Sequence, residues 1–323
     1  MNQLNSTLAR FACAAALLLG VGTASAEGAS ASASASKATV AATTSPVKSG
    51  RVAVNGVNYY YELHGRGEPL LLLHGGLGSI DMFRPVLPKL AENRLVIAVD
   101  LQGHGRTPLG KRAFRLESMG DDMAALVKKL GFAKVDVLGY SLGGGVALRM
   151  AVQKPDSVRR LALVSTGFSD DAFYPELKAL QGQVSAKAAP MMKGTPMYES
   201  YAAVAPNVAE FPRLLDALGD LMRSKYDWSS EVSKLKMPVM LVYGDSDMFR
   251  PEHMVKFYQL LGGGLRDAGW QRETQSKNRL AILPDRTHYD IFTSPGLVTT
   301  VLPFLNAQSD AQSWASQVTA GKN

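Results

Sequence analysis

Six short apolar runs recur along the chain: "PLLLLHG" (69–75), "RLVIAVD" (94–100), "VDVLGYS" (135–141), "VRRLALVS" (158–165), "PVMLVYGD" (238–245) and "RLAILPD" (279–285). Continuous apolar runs of this length are the pattern of strands covered on both faces, as in a parallel sheet. Helical segments separate them. In 116–130, Met119, Met123, Leu126, Val127 and Leu130 fall on one face of a 3.6-residue period. Asp121 and Asp122 lie early in that segment, Lys128 and Lys129 late, and Gly131 follows as a stop, an order that suits the helix dipole. A second helix is expected over 142–154, ended by Pro155. Ahead of all this, "RVAVNGVNYYYELHG" predicts two strands joined at Asn55-Gly56, a hairpin turn signal. The expected fold is therefore α/β: a mostly parallel sheet with helices on both faces, led by an antiparallel hairpin.

One stretch breaks the alternation. Residues 168–232 are helical in character and lack any buried-strand pattern, so they predict a helical cap inserted into a sheet core of 51–167 and 233–306. A smaller insertion, 262–278, precedes the last strand. Residues 307–323 form a polar tail. At the other end, Arg10 precedes the apolar run "FACAAALLLGV", too short to span a bilayer, and Ala24 and Ala26 flank a cleavage site. Residues 1–26 thus read as a signal peptide, and the protein as exported, periplasmic or secreted. The Ala/Ser/Thr tract 27–50 has nothing large to bury and reads as a flexible linker.

Composition narrows the functions. The chain has 323 residues, 46% apolar and 20% charged, a globular balance. Its only cysteine, Cys13, lies inside the signal, so the mature chain offers no disulfide, thiol catalysis or cysteine metal site. The formal charge is +7, and removal of the signal takes away one arginine and no acid. Basic residues are scattered, with no stripe or module that would bind nucleic acid. The histidines are dispersed too, so no metal site is expected, and the serine chemistry that the chain's motifs point to needs no cofactor.

The candidate chemistry centres on Ser141 in "GYSLGGG". A GxSxG pattern alone is weak. Here a buried-type strand ends in the serine and a helix starts directly after it, which is the geometry of a nucleophile elbow. Small residues are needed at 139 and 143, and Gly144 and Gly145 are expected to let the helix lie close to the sheet. A serine needs a base, and the base an orienting acid. Of the five histidines, His64 and His253 are expected on the surface, while His74 and His104 occupy loops that precede the serine. His288 alone follows the last strand, at the sheet edge where the elbow opens. For the acid, "YGDSD" offers Asp245, which suits a turn cap, and Asp247, which lies further into the loop and is favoured. The oxyanion donors are the backbone N–H of Leu142 and one from "LHGGLGS", with Gly76 preferred and Leu77 the nearest rival.

Together, "LHGG", "DLQGHGRT", "GYSLGGG", "YGDSD" and "RTHYDIF" make residues 51–306 resemble the α/β-hydrolases. The resemblance implies that family's fold and a triad of Ser141, Asp247 and His288. A serine nucleophile departs from the haloalkane dehalogenases and epoxide hydrolases of this fold, which attack with aspartate. The expected activity is cleavage of a carboxylic ester or lactone of a small molecule through an acyl-serine. The same triad leaves open acyltransfer, perhydrolysis and carbon–carbon hydrolysis, and a ligand-binding receptor is a further alternative. In the cap, Met191, Met192, Met197, Tyr198, Tyr201, Phe211 and Met222 either line a pocket for apolar acyl or aromatic groups or only pack.

Overall fold

The computed structural model describes residues 48–309 together with 313, 314 and 316. The expected signal peptide and most of the expected linker lie outside the described residues. Eight strands form one sheet: β1 (Lys48–Val54), β2 (Val57–His64), β3 (Glu68–Leu73), β4 (Arg94–Val99), β5 (Val135–Tyr140), β6 (Val158–Val164), β7 (Val239–Ser246) and β8 (Arg279–Thr287). Their spatial order is β1-β2-β4-β3-β5-β6-β7-β8. The β1–β2 and β2–β4 pairs are antiparallel and all others parallel. Seven helices of seven or more residues accompany it among the described residues: α1 (Leu116–Lys129), α2 (Leu142–Gln153), α3 (Pro175–Gln181), α4 (Pro196–Ala202), α5 (Phe211–Arg223), α6 (Pro251–Leu260) and α7 (Pro295–Leu305).

The two faces of the sheet follow from strand periodicity. Leu71 and Leu73 of β3 point to a core shared with Met119 and Met123 of α1, Val146 of α2 and Phe257 of α6. Leu70 and Leu72 point the other way, onto Ile80, Phe83 and Leu297, Val298 and Val301 of α7. Side chains on successive residues alternate between faces, so a strand covered on both sides must be apolar throughout. The hairpin turn has both central residues at positive φ, Asn55 at 47° and Gly56 at 85°. That is the primed turn that matches strand twist. Asp122, expected to serve only the dipole of α1, is fully buried. It accepts hydrogen bonds from Tyr59 Oη (2.6 Å) and Asn55 Nδ2 (2.8 Å), docking the hairpin on the helix.

Three expectations need correction. The sheet begins at Lys48, so the linker cannot extend to residue 50. Lys48, Ser49 and Gly50 pair with Leu63, Glu62 and Tyr61 through the backbone, while the Lys48 and Ser49 side chains stay exposed and leave no mark in composition. Second, β8 is not covered on both faces: it pairs only with β7, and Ile282 is 45% exposed. Edge position follows from strand order, which an apolar run does not encode. Third, Gly145 does not face the sheet. A Cβ there would meet Leu116 of α1 at 3.1 Å, whereas one at Gly144 would meet Thr166, just past the end of β6, at 2.7 Å.

Between β6 and β7 the chain is helical, as expected of a cap, and it adds no strand to the sheet. Phe211, Leu214, Leu215 and Leu218 of α5 pack with Val184, Met192 and Tyr201 into a separate apolar cluster. Leu77 and Leu109, from the loops after β3 and β4, complete that cluster and so seat the cap above the carboxyl ends of the strands.

Candidate active site

Ser141 stands between β5 and α2 with φ 52° and ψ −116°. A non-glycine residue there is strained, a cost of roughly 1–3 kcal/mol that the surrounding packing must sustain. The packing is tight on both sides of it. A Cβ at Gly139 would lie 2.3 Å from the Gly143 carbonyl oxygen, and one at Gly143 would lie 2.4 Å from that of Leu73. Glycine is therefore required at both positions because backbone meets backbone there.

His288 follows β8 and bridges two groups. Its Nε2 lies 3.0 Å from Ser141 Oγ, and its Nδ1 lies 3.2 Å from Asp247 Oδ1. With Nδ1–H donating to the carboxylate, Nε2 is left to accept from the serine. Asp247 itself is 7% exposed and richly held. Ser165 Oγ donates to Oδ2 at 2.5 Å, Gly244 N–H donates to Oδ2 at 3.2 Å, and Met248 N–H donates to Oδ1 at 2.8 Å. Burial alone would raise the Asp247 carboxyl. The hydrogen bond and charge of His288, with the donors Ser165 and Gly244, outweigh it and hold the group below the usual carboxylate range. Asp245, by contrast, turns away and accepts the backbone N–H groups of Asp285 (3.1 Å) and Arg286 (3.3 Å). It clamps the end of β8 that leads to His288.

The loop after β3 is fastened to the elbow. Gly143 N–H donates to the His74 carbonyl at 3.0 Å, and a Cβ at Gly75 would strike the Tyr140 ring at 2.6 Å. This close approach brings Gly76 opposite Leu142: a Cβ built on Gly76 would lie 4.0 Å from that of Leu142. Neither Gly76 N–H nor Leu142 N–H has a hydrogen-bond acceptor among the described residues. Leu77, the rival for the donor, takes φ 56° and buries its side chain in the cap cluster.

The remaining histidines do structural work, and two differ from expectation. His64 is buried and bonded to Glu62 at 2.9 Å, not at the surface. His253 is buried as well, stacked on Phe168 at 4.2 Å, with Nε2 accepting the Phe168 N–H at 3.2 Å. His74 donates from Nδ1 to the Gly75 carbonyl (2.7 Å) and accepts the Leu101 N–H at Nε2 (3.0 Å), which requires the neutral ring. His104 lies 5.5 Å from it, ring to ring. Burial lowers His74 and His253 to about 4 and His104 to about 3.

This has a consequence for acid stability. These folded-state values lie below the ordinary histidine value of about 6.5, so on acidification the unfolded chain takes up protons first. Stability is level above pH ~6.5 and falls below it, by up to about 1.4 kcal/mol per pH unit for each histidine, until the folded values near 4 are reached. Urea midpoints measured from pH 7 to pH 4.5 should fall steeply. The variant His253→Leu should show a shallower slope, by about one proton; an unchanged slope would show that His253 does not carry this linkage.

Tyr140 and Ser165 were not singled out by sequence reasoning. Tyr140 Oη donates to the His288 carbonyl at 2.6 Å and its ring lies 5.2 Å from the imidazole. Ser165, with φ 48°, holds Asp247. Adjacency of Tyr140 to the elbow was the one available signal; Ser165 offered none. Among the described residues no three His, Cys, Asp or Glu side chains gather as a metal site would need.

Above Ser141 and His288 opens a cavity of about 290 Å³, walled mostly by apolar side chains such as Leu142, Leu218, Trp228 and Phe249. Of the seven cap residues considered, only Met197 and Met222 border it. Met192, Tyr201 and Phe211 are buried in the cap cluster, Tyr198 packs edge-on to Phe211, and Met191 is 37% exposed.

A family profile described as alpha/beta hydrolase fold matches residues 68–194. The pimeloyl-[acyl-carrier protein] methyl ester esterase of Neisseria meningitidis is 31% identical over 205 residues, 58% of this chain and 77% of that one. The soluble epoxide hydrolase of Corynebacterium sp. (strain C12) is 40% identical over 111 residues, 34% of this chain. The match spans only 39% of that relative's length. Among solved structures, a thermophilic esterase from Thermogutta terrifontis superposes with a TM-score of 0.62 at 22% identity, covering 80% of this chain and 98% of its own. The chain belongs to the α/β-hydrolase family. No helix among the described residues is long and apolar enough to cross a membrane.

Proposed function

We propose that the protein is a serine hydrolase of carboxylic esters or lactones. The observation that supports this most is the His288 imidazole, hydrogen-bonded to Ser141 Oγ on one side and to Asp247 on the other, at the floor of an apolar cavity. In the first half-reaction Nε2 takes the Ser141 proton as Oγ bonds to the carbonyl carbon. The carbonyl oxygen becomes an oxyanion held by the N–H groups of Gly76 and Leu142. One such donor is worth ~3–4 kcal/mol in the transition state. The intermediate then collapses, the bond to the leaving oxygen breaks, and His288 gives that oxygen the proton. Water repeats the sequence on the acyl-serine and restores Ser141. Asp247 holds the imidazole tautomer and stabilises its cation throughout.

The named substrates of the relatives differ, and the nucleophile chooses among them. Attack of a serine on an epoxide would give an ether, which His288 and water have no carbonyl to reopen. Attack on an ester gives an acyl-serine that turns over. An activated alkyl phosphonate should therefore label the protein once, at Ser141, with loss of esterase activity in step. Labelling elsewhere, or activity that survives full labelling, would refute the assignment.

A further inference from the structure

The cavity above Ser141 is bordered by several polar side chains that the proposed reaction does not use, among them Gln181 and Thr166. Gln181, at the end of α3, is 8% exposed and borders the cavity, and its amide makes no hydrogen bond to any described residue. Thr166, just past β6, is 5% exposed, borders the same cavity, and its hydroxyl is likewise without a partner among the described residues. Only the Thr166 backbone is engaged, its carbonyl accepting from Tyr243 Oη at 2.7 Å. Neither polar group is sealed off, since both face the cavity; once a ligand displaces the water there, an amide or hydroxyl left without a partner costs roughly 1–3 kcal/mol. A cavity walled mostly by apolar side chains could be lined at these two places by apolar residues as well.

Charged groups at the cavity are already satisfied. The Lys178 ammonium binds the Asp170 carboxylate and its backbone carbonyl, and Lys225 reaches the same carboxylate at 3.0 Å. No free charge therefore invites a charged ligand at that wall. What is left open is a set of neutral hydrogen-bonding side chains, Gln181 and Thr166 among them, in a mostly apolar surround.

We infer that Gln181 and Thr166 read a neutral hydrogen-bonding group, an amide or a hydroxyl, carried on the otherwise apolar part of the ester or lactone substrate. This rests on the serine-hydrolase reading above and sharpens its substrate class from an apolar acyl group to an apolar group bearing one uncharged polar function. The energetic logic is that of a site built to hydrogen-bond its substrate. An analogue without the polar group leaves the buried amide unpaired and is turned over less well.

The test is a matched series of p-nitrophenyl esters at several chain lengths, each ending in a methyl, a hydroxyl, a primary amide or a carboxylate. The readout is kcat/KM for each polar-ended ester divided by that of the methyl-ended ester of equal length. A ratio within one preparation cancels any loss of folded protein. At the best chain length the wild type should favour the amide or hydroxyl. Gln181→Met should lower that ratio about tenfold, chiefly by improving the methyl-ended ester. Thr166→Val, nearly isosteric, should act in the same direction. Unchanged ratios in both variants would overturn the inference, as would a carboxylate preference that survives Gln181→Met. Absence of hydrolysis of every ester by the wild type would instead refute the serine-esterase reading.

Discussion

Ser141→Ala is expected to lower kcat on any ester the protein hydrolyses by ~10⁴ or more, leaving only what the oxyanion donors and binding supply. The variant isolates the chemistry because the fold does not depend on the hydroxyl. The close contacts of the elbow fall on Gly139 and Gly143, not on the side chain at 141. Alanine also carries the same Cβ at the same positive φ, so the backbone strain is unchanged and stability should stay within ~0.5 kcal/mol. Rates of p-nitrophenol release, read beside a urea denaturation curve, make the comparison. A folded variant with more than a few per cent of the wild-type rate would remove Ser141 from the mechanism.

The second large effect is expected at Asp247. Asp247→Asn keeps the size of the side chain, but its amide offers one acceptor oxygen where the carboxylate offered two. Three protein donors besides His288 converge on that carboxylate. An amide N–H facing Nδ1 also favours the imidazole tautomer with its proton on Nε2, which cannot accept from serine. The loss in kcat should be on the order of 10⁴. Asp245→Asn provides the contrast. Its carboxylate is exposed and accepts mainly backbone N–H groups, which an amide oxygen can still do in part. There the rate should fall by no more than about tenfold. Equal losses at the two positions would mean that the acid has been misassigned.

How much of this was legible beforehand depends on where each partner comes from. Ser141 ends one apolar run, and Asp247 and His288 lie just past the ends of two others, so strand position alone suggests that they share one edge. The parallel order of β3, β5, β6, β7 and β8 then brings them within hydrogen-bond distance. Asp247 is separable from Asp245 because Asp245 still lies within β7 and accepts N–H groups of the neighbouring β8, whereas Asp247 lies past the strand and reaches His288. Burial of His64 and His253 was misjudged for the opposite reason. What covers His253 is Phe168, a residue from a distant segment, and nothing near His253 in the chain signals it. The exposed face of β8 was illegible because its neighbours follow from the whole strand order. Ser165, Gln181 and Thr166 carry no local pattern at all. Their interest lies in which polar atoms have partners, a property of the assembled molecule.

The hydrogen bond from Gly143 N–H to the His74 carbonyl bears on how the site comes into being. It joins the start of α2 to the loop after β3, two segments that meet only once β3 and β5 lie side by side at the centre of the sheet. The spacing between Gly76 and Leu142 is thus a product of the central strand pairing, a long-range step in the assembly of the sheet. No fragment that ends before β5 can present the two N–H groups together. The proposed oxyanion pocket and the sheet should then form and melt as one cooperative unit, and the ordering cost of aiming those donors is met during folding, before any substrate arrives.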